Sequence, residues 1–456
     1  MERVGRLLIL SLIMSLDLEA QQIAPLDICE GATQVALVVD VETGDVVYEY
    51  DKHRRVTPAS LTKLFTTAAV LSNKKGSDKF QTEVYYDKQT STITVVGGGD
   101  PTIESRYLQN NAIEKLSEVI VKAVGQNETI GMLAIDESYL IGAKMNSKRL
   151  WEDMGNYYGA AWTPINIADN TYTITLSSPK EAGRQTKIES VELDVAEEIS
   201  NYVISYSRKG DSAYVYGVDS EHVYISGAIP SGRERFAIKA ALNNPSKYFA
   251  EKLSKRLNDK GVKVEKISFS SDGTMRKGQR IAGVDSPSLQ KIAEQTNQRS
   301  INLYADALLM KFGEHDGFTS WDKSVGALNA FVGRVTAEKS SLYDGSGLSP
   351  MNKITASQVV SVLKYMIDGP FADEYRKTLS EAGTNGTLRR FGKGTILEKR
   401  LIGKSGTMLG VKGYAGYVKN EKNKELVFCI IVNNHTETAS ELDNKIVSWL
   451  VELMKK

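Results

Sequence analysis

Two cysteines and four histidines in 456 residues are too few for a disulfide framework or a metal cluster of those side chains. Cys29 and Cys429 read as free, buried thiols, although an exported setting would permit a bridge between them. His53, His222, His315 and His435 show no metal-ligand spacing, so neither a metal nor a cofactor is predicted. An excess of one charge is also missing: Lys+Arg number 57 against Asp+Glu 56, which argues against nucleic acid as a partner. "VGGGDP" lacks the Lys-Ser/Thr ending of a phosphate loop and is read as a turn. Long apolar runs are absent beyond "LLILSLIMSL" (7–16). That run follows two arginines, precedes "DLEAQQ", and is short for a membrane span. It reads as a secretory signal peptide over 1–20, with cleavage after Ala20; a membrane anchor is the lesser reading. The mature chain is therefore expected to be soluble and extracytoplasmic, with no peripheral membrane contact indicated.

What is present divides into regions. A chain of this length exceeds one hydrophobic core, so two or three domains are expected. "QVALVVDVETGDVVYEY" (34–50) alternates apolar and polar about a turn, the pattern of a β-hairpin. A helix follows at "TPASLTKLFTTAAVL" (57–71), with Pro58 just before its start and Ser60 near the first turn. Strand patterns and one helix (111–125) come next, and 165–270 is β-rich. Helical patterns return at 245–261 and, as one stretch, at 288–313. The end holds a strand (425–434) and a helix whose Ile446, Val447, Leu450, Leu453 and Met454 form a stripe suited to packing on a sheet. Hairpin and helix at one end, strand and helix at the other, predict a single sheet built from both ends, with the middle inserted.

Lys63 follows Ser60 by three positions, one helical turn, in an otherwise apolar stretch. Ser-x-x-Lys by itself carries little weight, because it recurs at Ser72, Ser177, Ser288, Ser320 and Ser361. Two singletons restore the signal: Ser300-Ile301-Asn302 and Lys404-Ser405-Gly406-Thr407. Their order after the serine–lysine pair is the triple signature of penicillin-recognising serine enzymes. A serine hydroxyl needs a neighbouring base to become a nucleophile. Lys63, desolvated and near a second cation at Lys404, would favour its neutral form and take the Ser60 proton. Ser300 would relay a proton to the leaving group, and Asn302 would hold Lys63 and the substrate amide. Lys404, with the Ser405 and Thr407 hydroxyls, would bind a substrate carboxylate. Gly406 would leave room for substrate to lie along the strand, and the Ser60 and Thr407 backbone N–H groups would form an oxyanion hole.

These motifs, with "GGGDPTI" (97–103), "WEDMGNYYGA" (151–160), "YDGSGLSPMNKIT" (343–355) and "GTNGTLRRF" (383–391), resemble the D-alanyl-D-alanine carboxypeptidases/endopeptidases among the low-molecular-mass penicillin-binding proteins, in the class with a large insertion. The resemblance implies an α+β fold: a transpeptidase/β-lactamase-like domain, an antiparallel sheet flanked by helices, carrying two inserted domains, the second β-rich. It places the catalytic domain at 21–77 plus 286–456, the first inserted domain at 78–164 plus 262–285, and the second at 165–261. It also implies peptidoglycan peptides as substrate, β-lactams as covalent inhibitors, a periplasmic or extracytoplasmic location, and a side-chain pocket drawing on Asp153, Tyr158 and Met408. Where some members carry an arginine after "GSGLS", this sequence has Pro350.

Two rival readings stand beside it. Glu152 and Asn156 mimic the E-x-x-x-N element of serine β-lactamases, but here it precedes Ser-x-Asn instead of following it. A non-catalytic cell-wall-binding protein would have had no need of Ser60, Lys63, Asn302 and Lys404 together.

Overall fold

The computed structural model describes residues 23–74, 76–193, 198–217 and 222–455; the predicted signal peptide lies outside them. Thr33–Asp40 and Val46–Tyr50 form the expected antiparallel hairpin, its turn closed by Asp40 Oδ1, which accepts the N–H groups of Glu42 and Thr43 at 2.9 and 3.1 Å. The other edge of Thr33–Asp40 pairs with Glu425–Asn433, joining the two ends of the chain. The resulting sheet has six strands in the order Ser380–Glu381, Leu401–Met408, Val411–Lys419, Glu425–Asn433, Thr33–Asp40, Val46–Tyr50, every neighbouring pair antiparallel.

The central strands are buried on both faces, so alternate residues enter different layers. Val35, Leu37 and Val39 join a core with Leu64, Phe65 and Ala68 of the helix Thr62–Asn73. Ala36 and Val38 point the other way, onto Ile446, Leu450 and Leu453 of the C-terminal helix Ala439–Met454. The apolar stripe of that helix thus packs on the sheet, and a capping box between Thr438 and Glu441 fixes its start. Among the described residues no helix is long and apolar enough to cross a membrane.

The intervening residues build separate sheets and a core of their own. One sheet has five strands in the order Ile267–Ser270, Met132–Asp136, Thr92–Val96, Gln81–Asp87, Gln279–Asp285. Two three-stranded sheets follow in the β-rich stretch: Tyr214–Gly217, His222–Pro230, Glu198–Tyr206, and Phe236–Ala241, Thr171–Ser177, Lys187–Val191.

The helical pattern at 288–313 is not one helix. Leu289–Arg299 ends at Ser300, whose φ of +60° and ψ of 38° are left-handed, and Asn302–Phe312 starts two residues later. A left-handed residue stops the i→i−4 ladder and redirects the chain. Two of the other Ser-x-x-Lys matches prove to be helix caps: Ser288 and Ser320 accept the backbone N–H groups of Lys291 and Lys323. Both cysteines are free; Cys429 is buried, whereas Cys29 is only half-buried.

Candidate active site

Ser60 stands in a 3-10 turn, Ala59–Leu61, that leads directly into the helix Thr62–Asn73. Ala59 has φ +46°, an uncommon conformation for a residue with a side chain. The turn is wedged between two glycines. A Cβ on Gly347 would lie 1.9 Å from the Ala59 carbonyl oxygen, and one on Gly406 would lie 2.6 Å from that of Pro58. Gly406 therefore makes room for the turn bearing Ser60.

Lys63, one turn on, is fully buried. Its Nζ donates to Ser60 Oγ at 2.9 Å, Asn302 Oδ1 at 2.6 Å and the Ser346 carbonyl at 2.7 Å. Burial lowers its pKa to about 7, against the raising effect of Asp306 and Asp344, and Arg149 adds to the lowering. Asn302, at the start of its helix, donates through Nδ2 to the Tyr158 carbonyl at 2.7 Å. The left-handed turn at 300 brings Ser300 Oγ within 3.0 Å of Lys404 Nζ, which also donates to the Ser405 carbonyl at 2.6 Å. Lys404 is fully buried; burial first, and the charge of Lys63 second, hold its pKa well below the ordinary lysine range.

A cavity of about 500 Å³ opens over this cluster. Ser60, Ser300, Asn302, Thr407 and Met408 line it, together with Asp153 and Tyr158. The Tyr158 hydroxyl donates to Asp153 Oδ1 at 3.2 Å, and burial raises the Asp153 pKa. Lys63, Lys404, Ser405 and Gly406 are not part of the lining; the two lysines reach the cavity through Ser60 and Ser300. Pro350 is not part of it either, and the cations on its wall are Arg106, Lys239 and Arg299. Glu152 lines it too, but Asn156 is buried, donating to the Glu152 carbonyl at 2.8 Å and accepting the Val215 N–H at 3.1 Å. Among the described residues no group of three or more His, Cys, Asp or Glu is placed to hold a metal ion.

The sequence reading missed the support beneath Lys63. Arg149 is buried between Asp306, which accepts from its Nη2, and Asp344, 3.5 Å from its Nε. Arg149 Nη2 also donates to Ser346 Oγ at 3.0 Å. Asp344 accepts the N–H groups of Gly347 and Ser349 at 2.8 and 2.9 Å, which shapes the loop whose Ser346 carbonyl receives Lys63. Burial pushes Asp344 up, but Arg149 and these N–H donors outweigh it and hold its carboxyl below the usual range. Asp344 sits inside the stretch 343–355 already singled out and Asp306 inside the helical pattern at 288–313; Arg149 carries no local signal of its own.

Among known proteins, the D-alanyl-D-alanine carboxypeptidase of an Actinomadura species is 27% identical over 434 residues, covering 90% of this chain and 79% of that one. Penicillin binding protein 4 (dacB) of Haemophilus influenzae superposes with a TM-score of 0.80 at 21% identity, over 94% of this chain and 98% of that one. Bd3459, a predatory peptidoglycan endopeptidase of Bdellovibrio bacteriovorus, superposes with a TM-score of 0.53 at 15% identity over 92% of each chain, and has also been solved acylated by penicillin G. The fold is thus the α+β penicillin-binding fold with inserted domains. The D-Ala-D-Ala carboxypeptidase 3 (S13) family model matches residues 19–453. Because that match runs across nearly the whole sequence, the chain belongs to the D-Ala-D-Ala carboxypeptidase 3 (S13) family and is a serine-type hydrolase.

Proposed function

We propose that this protein is a DD-peptidase of peptidoglycan stem peptides that works through an acyl-enzyme on Ser60. The observation that carries the reading is the buried Lys63 ammonium 2.9 Å from Ser60 Oγ, with a pKa lowered to about 7. In its neutral form Lys63 takes the Ser60 proton as Oγ attacks the carbonyl of the penultimate D-Ala. The oxyanion is received by the Ser60 and Thr407 backbone N–H groups. Collapse breaks the peptide bond as Ser300 gives its proton to the departing amine and regains one from Lys404 Nζ, 3.0 Å away. Water then attacks the ester, its proton returning through Ser300 to Lys404, and Lys63 gives its proton back to Ser60 Oγ as the ester breaks.

If the departing amine belongs to a free terminal D-Ala the enzyme is a carboxypeptidase; if it belongs to a cross-linked D-centre it is an endopeptidase. Both follow from the same chemistry. Asp153, Tyr158 and Met408 would meet the preceding side chain of the stem, with Thr407 on the cavity wall serving the terminal carboxylate and Lys404 acting on it through Ser300; Ser405 lies between Lys404 and Thr407 on the same strand. The reading carries with it an extracytoplasmic location and the division into a catalytic domain (21–77, 286–456) and two inserted domains (78–164 with 262–285, and 165–261).

Fluorescent penicillin tests it. The wild type is expected to be labelled and Ser60→Ala not; an unlabelled wild type overturns the reading in favour of a non-catalytic wall-binding protein. The labelled adduct is expected to persist, because Asn156 is committed to the Glu152 carbonyl and the Val215 N–H instead of positioning a deacylating water. Rapid penicillin turnover would point to a β-lactamase. The pH dependence has a definite sign: the base is the neutral amine, so acylation should fall about tenfold per pH unit below pH ~7 and level off above it. Stopped-flow acylation across pH 5 to 9 reads this out, and a profile flat through that range would remove Lys63 from the role.

A further inference from the structure

The sheet formed by Tyr214–Gly217, His222–Pro230 and Glu198–Tyr206 buries one face, through Val203, Val215, Val223, Ile225 and Ile229. Its other face would ordinarily be polar. Here it carries a ribbon of rings instead. Tyr216 and Tyr224 lie opposite each other in register and stack at 4.6 Å with 14° between their planes. Trp151 sits 5.3 Å from Tyr216, Tyr202 lies 6.3 Å from Tyr224, and Tyr214 lies 6.3 Å from Tyr216. Trp151 and Tyr202 are 52% and 64% exposed, and so much contiguous aromatic surface in water marks a contact site.

The ribbon is continuous with the catalytic cavity. Tyr214 belongs to both, and Leu150, Glu152 and Asp153 on either side of Trp151 line the cavity. The connecting segment is pressed onto the strand: a Cβ on Gly155 would lie 2.2 Å from the Val215 carbonyl oxygen, and Asn156 holds the Val215 N–H.

We infer that this aromatic face is a platform for the glycan strand of the substrate, a β-linked amino-sugar chain stacked on the Trp151, Tyr216, Tyr224 and Tyr202 rings. The inference rests on the DD-peptidase reading, in which the peptide in the cavity hangs from such a chain. A pyranose with equatorial substituents presents a face of axial C–H bonds, and the electron-rich face of an aromatic ring attracts them. A four-residue stem spans at most about 14 Å when extended, which keeps the sugar beside a peptide seated in the cavity. Nucleobases would stack on similar rings, but single-strand binders pair such rings with a basic groove, and this chain carries 57 basic against 56 acidic residues.

The test uses peptide-free GlcNAc–MurNAc oligosaccharides and the double variant Tyr202→Ser/Tyr224→Ser, with Trp151 kept as reporter. Titrating the wild type should give a saturable change in tryptophan fluorescence that the variant loses. The variant's KM for peptide still attached to glycan should rise about tenfold. Its penicillin labelling and its kcat/KM on a sugar-free pentapeptide should stay at wild-type values. No saturable change in the wild type, or an unchanged KM on glycan-linked substrate in the variant, overturns the proposal. So does a wild-type dimer in sedimentation that the variant abolishes without any glycan response, since a second copy would then cover the rings. Failure of the DD-peptidase reading shows separately, as loss of labelling and of pentapeptide cleavage in the wild type.

Discussion

Lys63→Met is expected to yield a folded protein whose Ser60 is acylated by penicillin roughly 10² to 10⁴-fold more slowly than in the wild type, the span that a general base contributes. Methionine fills nearly the volume of the fully buried lysine stem, so little cavity is left behind. What disappears is the one amine within 2.9 Å of the Ser60 hydroxyl, and with it the group whose pKa of about 7 lets it be neutral when substrate arrives. Asn302 Oδ1 and the Ser346 carbonyl lose their shared donor, a cost of about 1–3 kcal/mol for buried acceptors left unpaired. Two measurements separate chemistry from stability: the acylation rate, and a thermal midpoint for the same sample. The acid limb of the pH profile should vanish in the variant along with the rate. Acylation within tenfold of wild type would mean that another group takes the Ser60 proton.

Arg149→Met should produce the largest loss of stability of any single change in this region, about 3–5 kcal/mol, because it leaves two fully buried carboxylates without their cation. In a thermal melt this amounts to roughly 10 °C for a domain of this size. Activity should fall as well. Asp344 orders the loop that presents the Ser346 carbonyl to Lys63, and Arg149 itself lowers the Lys63 pKa. With Arg149 gone and Asp306 and Asp344 left to raise that pKa, any residual acylation should have its acid limb displaced to higher pH. Removing a carboxylate together with the arginine, as in Arg149→Met/Asp306→Leu, should restore part of the melting temperature, because fewer uncompensated buried charges remain. A single variant that melts within a degree or two of wild type would show that the cluster contributes little to the fold.

Local regularities of this chain are legible without coordinates because they depend on neighbours a few residues away. Alternation about "ETGD" specifies the hairpin, and the stripe of Ile446, Leu450 and Leu453 specifies a helix lying on a sheet. The sequence alone determined the chain order of the serine–lysine pair, the Ser-x-Asn and the Lys-Ser-Gly, which is enough to name the chemistry. Continuous periodicity misled at 288–313, because nothing in the apolar spacing reports that Ser300 takes a left-handed φ.

Only the tertiary structure decided how the site is held and tuned. The burial that lowers the Lys63 pKa comes from elements far apart in sequence. So does its support, since Arg149 and Asp306 are separated by 157 positions. Gly406 shows the same division: its motif could be recognised, but the need for glycine came from Pro58 and Leu61 packing across the strand. The ring ribbon beside the cavity likewise arises only when strands pair in register and one face is consumed by the core. Side-chain periodicity is a local property of the backbone, whereas desolvation and charge compensation are set by whatever the completed fold brings within a few ångströms.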